Sequence, residues 1–243
     1  MEIRIIHFYP DLMSLYGSYA NVTVLRRRLE LLGHTVCVEA VQPGEDVPLT
    51  DAAFLFMGAG TERAQKAALE DLRRYAAPLK DAAAAGVPML FCGTAMELLG
   101  ASITDAAGKT YPGIGLAPFT SVQGSKRITG DVYGHTDLYP EPVVGFMNKC
   151  SVISGVDTPL LTALDMGWGN DGPKTGEGFH QGNVFASQLT GPLLVKDPRM
   201  LDAVTAAVYS HLGLSLPGEL PRDPWAEAGF QITEEQLRLR CGK

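Results

Sequence analysis

The stretch Pro88–Gly100, PMLFCGTAMELLG, constrains the fold more than any other. Its first four residues are all apolar, which fits a short strand covered on both faces. Cys92 follows at once. Gly93-Thr94 opens a helix through Met96, Leu98 and Leu99, and Gly100 is its stop. A cysteine between a strand end and a helix start meets free backbone N–H groups and the positive end of the helix dipole, both of which favour thiolate. Gly93 lets a substrate approach the backbone and offers an N–H to an oxyanion. This is the logic of a nucleophile elbow, with sulfur in place of oxygen. The same residues also fit a buried, inert cysteine in a core strand.

The chain before the elbow repeats the strand–helix pattern. Glu2–Phe8 is an Ile-rich first strand, followed by a loop holding Pro10, Asp11 and Gly17. From Ser18, the spacing of Val22, Leu25, Leu29 and Leu32 predicts an amphipathic helix. Arg26, Arg27, Arg28 and Glu30 fall on its solvated side, and Gly33 lies just past its end. Thr35–Val41 is a second strand, with Cys37 expected in the core. Ala52–Met57 is a third, and Gly58-Ala59-Gly60 leads to Thr61, the expected N-cap of a helix from Glu62 to about Tyr75. Pro78 is expected to break that helix, leaving a second piece from Leu79 to Ala85. Glycines between strand and helix suit an anionic group, although a tight turn needs nothing more. This turn lies one βα unit before the elbow. Both should therefore face the carboxyl edge of a parallel sheet, where such folds bind ligands. The order β-α-β-β-α-β-α predicts an α/β, three-layer fold around a mostly parallel sheet.

Beyond Gly100 the character changes. TYPGIGLAPFTS, RITGDVYG and EPVVGFMN read as antiparallel strands added to the sheet edge. The Gly-rich segment Gly167–Gly182 is expected as a surface loop. Gly182–Leu189 is another strand, and Asp197-Pro198 starts a helix with Leu201, Val204, Ala207, Val208 and Leu212 as its apolar positions. The tail ends in a short amphipathic helix, ITEEQLRLR. Residues 1–215 read as one domain and residues 216–243 as a C-terminal extension. Hydrophobic residues make up 46%, ample for a core, and a net charge of −7 argues against nucleic acid as a partner. No apolar run reaches about 18 residues, so no transmembrane segment is expected. The start, MEIRIIHFYPD, lacks the basic and apolar regions of a signal peptide. Cys37, Cys92, Cys150 and Cys241 are widely spaced and form no metal-ligand cluster. A cytoplasmic protein with reduced thiols is the plain reading, and nothing calls for a cofactor.

Several stretches together resemble a known family: LYGSYANVTVLRRR, FMGAGTERAQ, FCGTAMELLG, RITGD, VVGFMN and GNVFASQLTGPLL. In this order they are similar to the GatD subunits of lipid II isoglutaminyl synthase, within the cobyric-acid-synthase-like class I glutamine amidotransferases. The resemblance covers about Ile5 to Pro198 and implies a flavodoxin-like sheet. It also implies a subunit that hydrolyses glutamine and passes ammonia to a Mur-ligase-like, MurT-type, ATP-dependent partner, which amidates D-glutamate in the lipid II stem peptide. Cys92 would be the nucleophile, and backbone around Gly58, Ala59, Gly60 and Gly93 would bind the oxyanion. Arg127 would serve substrate or partner.

The departures are equally informative. Where the family carries its general-base histidine, in Tyr-Leu-His-Gly-Pro, this chain has Gln188-Leu189-Thr190-Gly191-Pro192. Thr190 therefore stands at the histidine position, and a threonine hydroxyl is no base near neutral pH. After VVGF the family's Glu-Asn-His-Gly-Gly is replaced by Met147-Asn148-Lys149-Cys150-Ser151, and after Cys92-Gly93 its Gly-Tyr-Gln by Thr94-Ala95-Met96. His180 precedes Thr190 by ten residues, a reach of roughly 25–30 Å at about 3.3 Å per strand residue unless the chain folds back. Three readings stay open: a glutaminase subunit with a displaced base, a non-catalytic scaffold or regulatory subunit, and a cysteine enzyme acting on another amide.

Overall fold

The computed structural model describes residues 1–243. Its first half alternates as expected: β1 (Glu2–Phe8), α1 (Ala20–Leu31), β2 (Thr35–Val41), β3 (Phe54–Met57), α2 (Glu62–Leu72), α3 (Ala76–Ala84), β4 (Met89–Cys92) and α4 (Thr94–Leu98). Then come β5 (Ser102–Thr104), β6 (Thr110–Pro112), β7 (Thr120–His135), β8 (Val143–Ser154), β9 (Ala163–Met166), β10 (Phe179–Gln181), β11 (Val184–Ser187) and β12 (Leu189–Thr190). Three helices close the chain: α5 (Leu193–Lys196), α6 (Pro198–His211) and α7 (Pro224–Arg240).

The main sheet runs β10-β11-β4-β3-β1-β2, parallel except for the antiparallel edge strand β10. With β11 as the fifth parallel strand, this is the doubly wound order 2-1-3-4-5, whose crossover reverses between β1 and β3. Ile6, Phe8, Leu55, Met57, Met89 and Phe91 pack into one core with residues of α2, α3 and α4. Alternate residues Ile3, Ile5, Phe54, Phe56, Leu90 and Cys92 pack into a second core with α1 and α6. Two buried faces explain why these strands are apolar at nearly every position.

Several local expectations change for physical reasons. Cys37 is exposed, not core, because β2 is the edge strand and its outer face is left uncovered. Arg26 and Arg27 face solvent, but Arg28 is buried and pairs with Asp202 at 2.5 Å. Pro78 does not break its helix. The break is the 3-10 turn Arg73–Tyr75, and Pro78 sits in the first turn of α3, where a missing N–H costs no helical bond. The runs after Lys109 are antiparallel, but most do not extend the main sheet. They build a second sheet, β12-β8-β7-β5-β6, with β9 on β7. Gly167–Gly182 is not a surface loop either, since it buries Asn170, Glu177 and Phe179. The chain crosses between the sheets at Gln188, which lies between β11 and β12. The tail helix is longer than ITEEQLRLR and buries Phe230 and Leu237 against Tyr133 and Val144.

Candidate active site

Three loops converge at the carboxyl ends of β1, β3 and β4. Gly93 has φ +60° and ψ −132°, a conformation that suits only glycine. A Cβ on it would stand 2.6 Å from Ala59 Cβ and 3.6 Å from Thr190 Cγ2. The Gly58–Gly60 turn and the elbow thus meet, as their order in the chain implied, and Thr190 lies beside them. Thr61 caps α2, accepting from the Ala64 N–H at 3.1 Å.

Cys92 is 1% exposed. Asn21 Nδ2 donates to its sulfur at 3.9 Å. The same amide donates to the Ser18 carbonyl at 2.9 Å and accepts from the Leu194 N–H at 2.8 Å. Burial pushes the Cys92 thiol far above its ordinary range, and the nearby Glu177 carboxylate adds to the rise. The thiolate-favouring elbow is therefore not realised in this state. α4 has only five residues, and burial of the sulfur disfavours its charged form.

Three of the backbone donors expected for an oxyanion already have partners. The Ala59 N–H donates to Ser18 Oγ at 3.2 Å, and the Gly60 N–H to Thr94 Oγ1 at 2.9 Å. The Gly93 N–H donates to the Ser187 carbonyl at 2.7 Å. The space left open by the missing Cβ atoms at Gly58 and Gly60 is filled by Met13 and Ser18. Thr190 is buried, and its hydroxyl donates to the Phe146 carbonyl at 3.4 Å.

Arg127 lies at the rim of a cleft of about 450 Å³ lined also by Glu62, Lys66, Asp105, Gln123 and Cys150. Its Nε donates to Asn148 Oδ1 at 2.7 Å and its Nη1 to Glu62 Oε1 at 2.8 Å. Lys66 pairs with Asp105 at 2.5 Å. The Cys150 thiol donates to Glu62 Oε1 at 3.3 Å, and burial, then that carboxylate, push it up to about 12.

Beneath the site is a buried polar network. Lys149 Nζ donates to the Gln188 side chain at 2.6 Å and to the carbonyls of Gly169 and Asn170. Burial lowers its pKa to about 8, against the pull of Glu177 and Glu97. Gln188 donates to Ser151, and Ser151 to Glu97, each at 2.7 Å. Glu177 accepts from the Ser187 hydroxyl at 2.8 Å and the Gln188 N–H at 2.6 Å.

No histidine hydrogen-bonds Cys92, whose sulfur accepts only from Asn21. His180 does fold back, as part of the β10–β11 hairpin, and packs on Phe185. His135 bonds Asp165 at 2.9 Å, His34 bonds Tyr209 at 2.7 Å, and His7 packs on Phe56. Sequence reasoning did not single out Ser18, Asn21 or Glu177. The first two lie in a stretch read as a helix start, and the third in a segment read as solvent-exposed.

The CobB/CobQ-like glutamine amidotransferase domain matches residues 4–198. The chain is 27% identical, over 98% of each chain, to the lipid II isoglutaminyl synthase (glutamine-hydrolyzing) subunit GatD of Staphylococcus aureus. It is 30% identical to the protein of that name from Streptococcus pneumoniae, over 87% of this chain and 83% of that one. Among solved structures, PurLQS from Thermotoga maritima is similar in fold, with TM-score 0.54 and 16% identity over 88% of this chain and 99% of that one. A glutamine amidotransferase from the same organism gives 0.53 and 10% identity, over 99% and 94%. Sequence match, doubly wound order and elbow agree: the chain belongs to the CobB/CobQ-like glutamine amidotransferase family.

Proposed function

We propose that this chain is a glutaminase-type subunit that supplies ammonia to a Mur-ligase-like, MurT-type partner for amidation of D-glutamate in lipid II. The observation that carries this reading is the placement of Cys92 beside the Ala59–Gly93 contact, in a chain whose relatives are named for that reaction. Cys92 sulfur attacks the side-chain amide carbon of glutamine. The C–S bond forms, the C–N bond breaks, and the thiol proton passes to the leaving nitrogen, which departs as ammonia. Water then cleaves the thioester, releasing glutamate and restoring the thiol. In the rim cleft, Arg127 suits the α-carboxylate of an amino acid, and Glu62 its ammonium. Residues 1–215 form the catalytic unit and residues 216–243 the extension. The setting is cytoplasmic, in keeping with the absence of any helix long and apolar enough to cross a membrane.

A second reading has its own support: a catalytically impaired subunit that keeps the fold and acts as scaffold or regulator. Thr190 donates its hydroxyl instead of accepting a proton, and no histidine hydrogen-bonds Cys92. General acid–base help is worth roughly 10²–10⁴-fold. Ammonia release from glutamine, by the chain bound to its Mur-ligase-like partner and beside Cys92→Ala, separates the two. The first reading expects turnover that vanishes in Cys92→Ala. No turnover above that control, with the complex intact, selects the second.

A further inference from the structure

One segment touches both atoms the reaction needs. After β1 the chain turns back across the site as Leu12–Asn21. The Leu15 N–H holds the Ala59 carbonyl at 2.8 Å. Ser18 Oγ takes the Ala59 N–H, and three residues later Asn21 reaches Cys92. We infer that this segment is a strap that keeps the site self-occupied, the Ser18 hydroxyl standing where the substrate's oxyanion would accept from Ala59. The inference rests on the reading of Cys92 as nucleophile and the Ala59 N–H as oxyanion donor.

Three features make the strap displaceable. Its bonds at the two reacting groups are long, although Leu15 and Asn21 are otherwise held at 2.8 to 2.9 Å: 3.2 Å from Ala59 N to Ser18 Oγ, 3.4 Å from Ser18 Oγ to the Met13 carbonyl, and 3.9 Å from Asn21 to Cys92 sulfur. An oxyanion accepts more strongly than a neutral hydroxyl, so it wins the Ala59 donor. The strap is also held in strained backbone, with Tyr16 at φ +59°, a region that suits glycine and disfavours aromatic residues. Finally, its tip is tethered to the rim cleft. The Tyr16 hydroxyl accepts from Asn148 Nδ2 at 2.8 Å, and Asn148 Oδ1 accepts from Arg127. A carboxylate that draws Arg127 away from Asn148 loosens the tether, so a filled cleft and an open strap favour each other.

The test uses the full chain and two variants, Ser18→Ala and Tyr16→Phe. Alkylation of each cysteine by iodoacetamide is followed peptide by peptide, with exposed Cys37 as the reference within the same molecule. Both variants are expected to speed Cys92 alkylation about fivefold relative to Cys37, the factor that one net hydrogen bond carries. Hydrogen exchange at the Ala59 N–H should rise in step, with melting temperatures close to the parent's. Unchanged Cys92 rates in both folded variants overturn the strap. So does a rise in which Cys37 and Cys92 move together, because that reports general loosening. If neither parent nor variants hydrolyse glutamine in the partner complex, the functional reading fails, while the alkylation ratio still decides whether the strap controls access.

Discussion

Cys92 is pulled two ways. The elbow offers it backbone donors and a helix N-terminus, whereas burial and Glu177 hold it as a thiol. The absent histidine would tip the balance, since an imidazolium beside a thiol stabilises thiolate. Thr190 Cγ2 lies next to the elbow, so Thr190→His places an imidazole within reach. The expected result is that the pH midpoint of Cys92 alkylation falls by about one unit or more, the effect of a paired cation. An unchanged midpoint would show that position 190 does not govern the sulfur. Residue order alone placed Cys92 between a strand end and a helix start, and the family resemblance marked Thr190 as the position of a base. Ser18 and Asn21 were not legible, because a helix-start pattern says nothing about which side chains turn back toward a cysteine 71 residues later.

At the scale of elements, periodicity located most of the helices and strands, since burial on one face or two leaves different spacings. It did not say which strands would pair. The segments after Lys109 carry the right period for strands, yet β6 to β9 assemble into a sheet of their own; the chain leaves the main sheet after α4, returns to it at β10 and β11, and crosses again at Gln188 to add β12. Lys149 holds that crossing, through Gln188 and the 169–170 carbonyls. The helix α7 is another tertiary choice. Phe230 and Leu237 are buried, Arg199 pairs with Glu227 through two bonds of 2.8 Å, and Tyr133 donates to Glu234 at 2.8 Å. Phe230→Ala should cost about 3 kcal/mol if α7 melts with the rest, and less if it detaches alone. Urea unfolding followed by circular dichroism, with proteolysis of the tail as the second readout, distinguishes these outcomes.

The whole molecule carries a built-in acid sensitivity. His7 is buried in β1, its Nε2 has no partner, and burial lowers its pKa to about 4. Between pH 6.5 and 4 the unfolded chain binds this proton and the folded chain does not. Stability is therefore complete above 6.5 and falls as pH drops toward 4, by roughly 3 kcal/mol in all. Replacing His7 with Phe should remove that part of the loss, seen as a smaller drop in unfolding free energy between pH 7 and pH 4.5 than in the parent. A parent and variant with parallel pH curves would refute it. By itself the sequence determined the alternation of apolar strands and helices, the cysteine at a strand end and the glycines opposite it, because these depend on neighbours in the chain. The tertiary structure alone decided that Cys92 is a buried thiol, that Ser18 and Asn21 occupy its site, and that Glu177 lies within its electric field. Those properties depend on solvent exclusion and on contacts between distant segments, which no local pattern encodes.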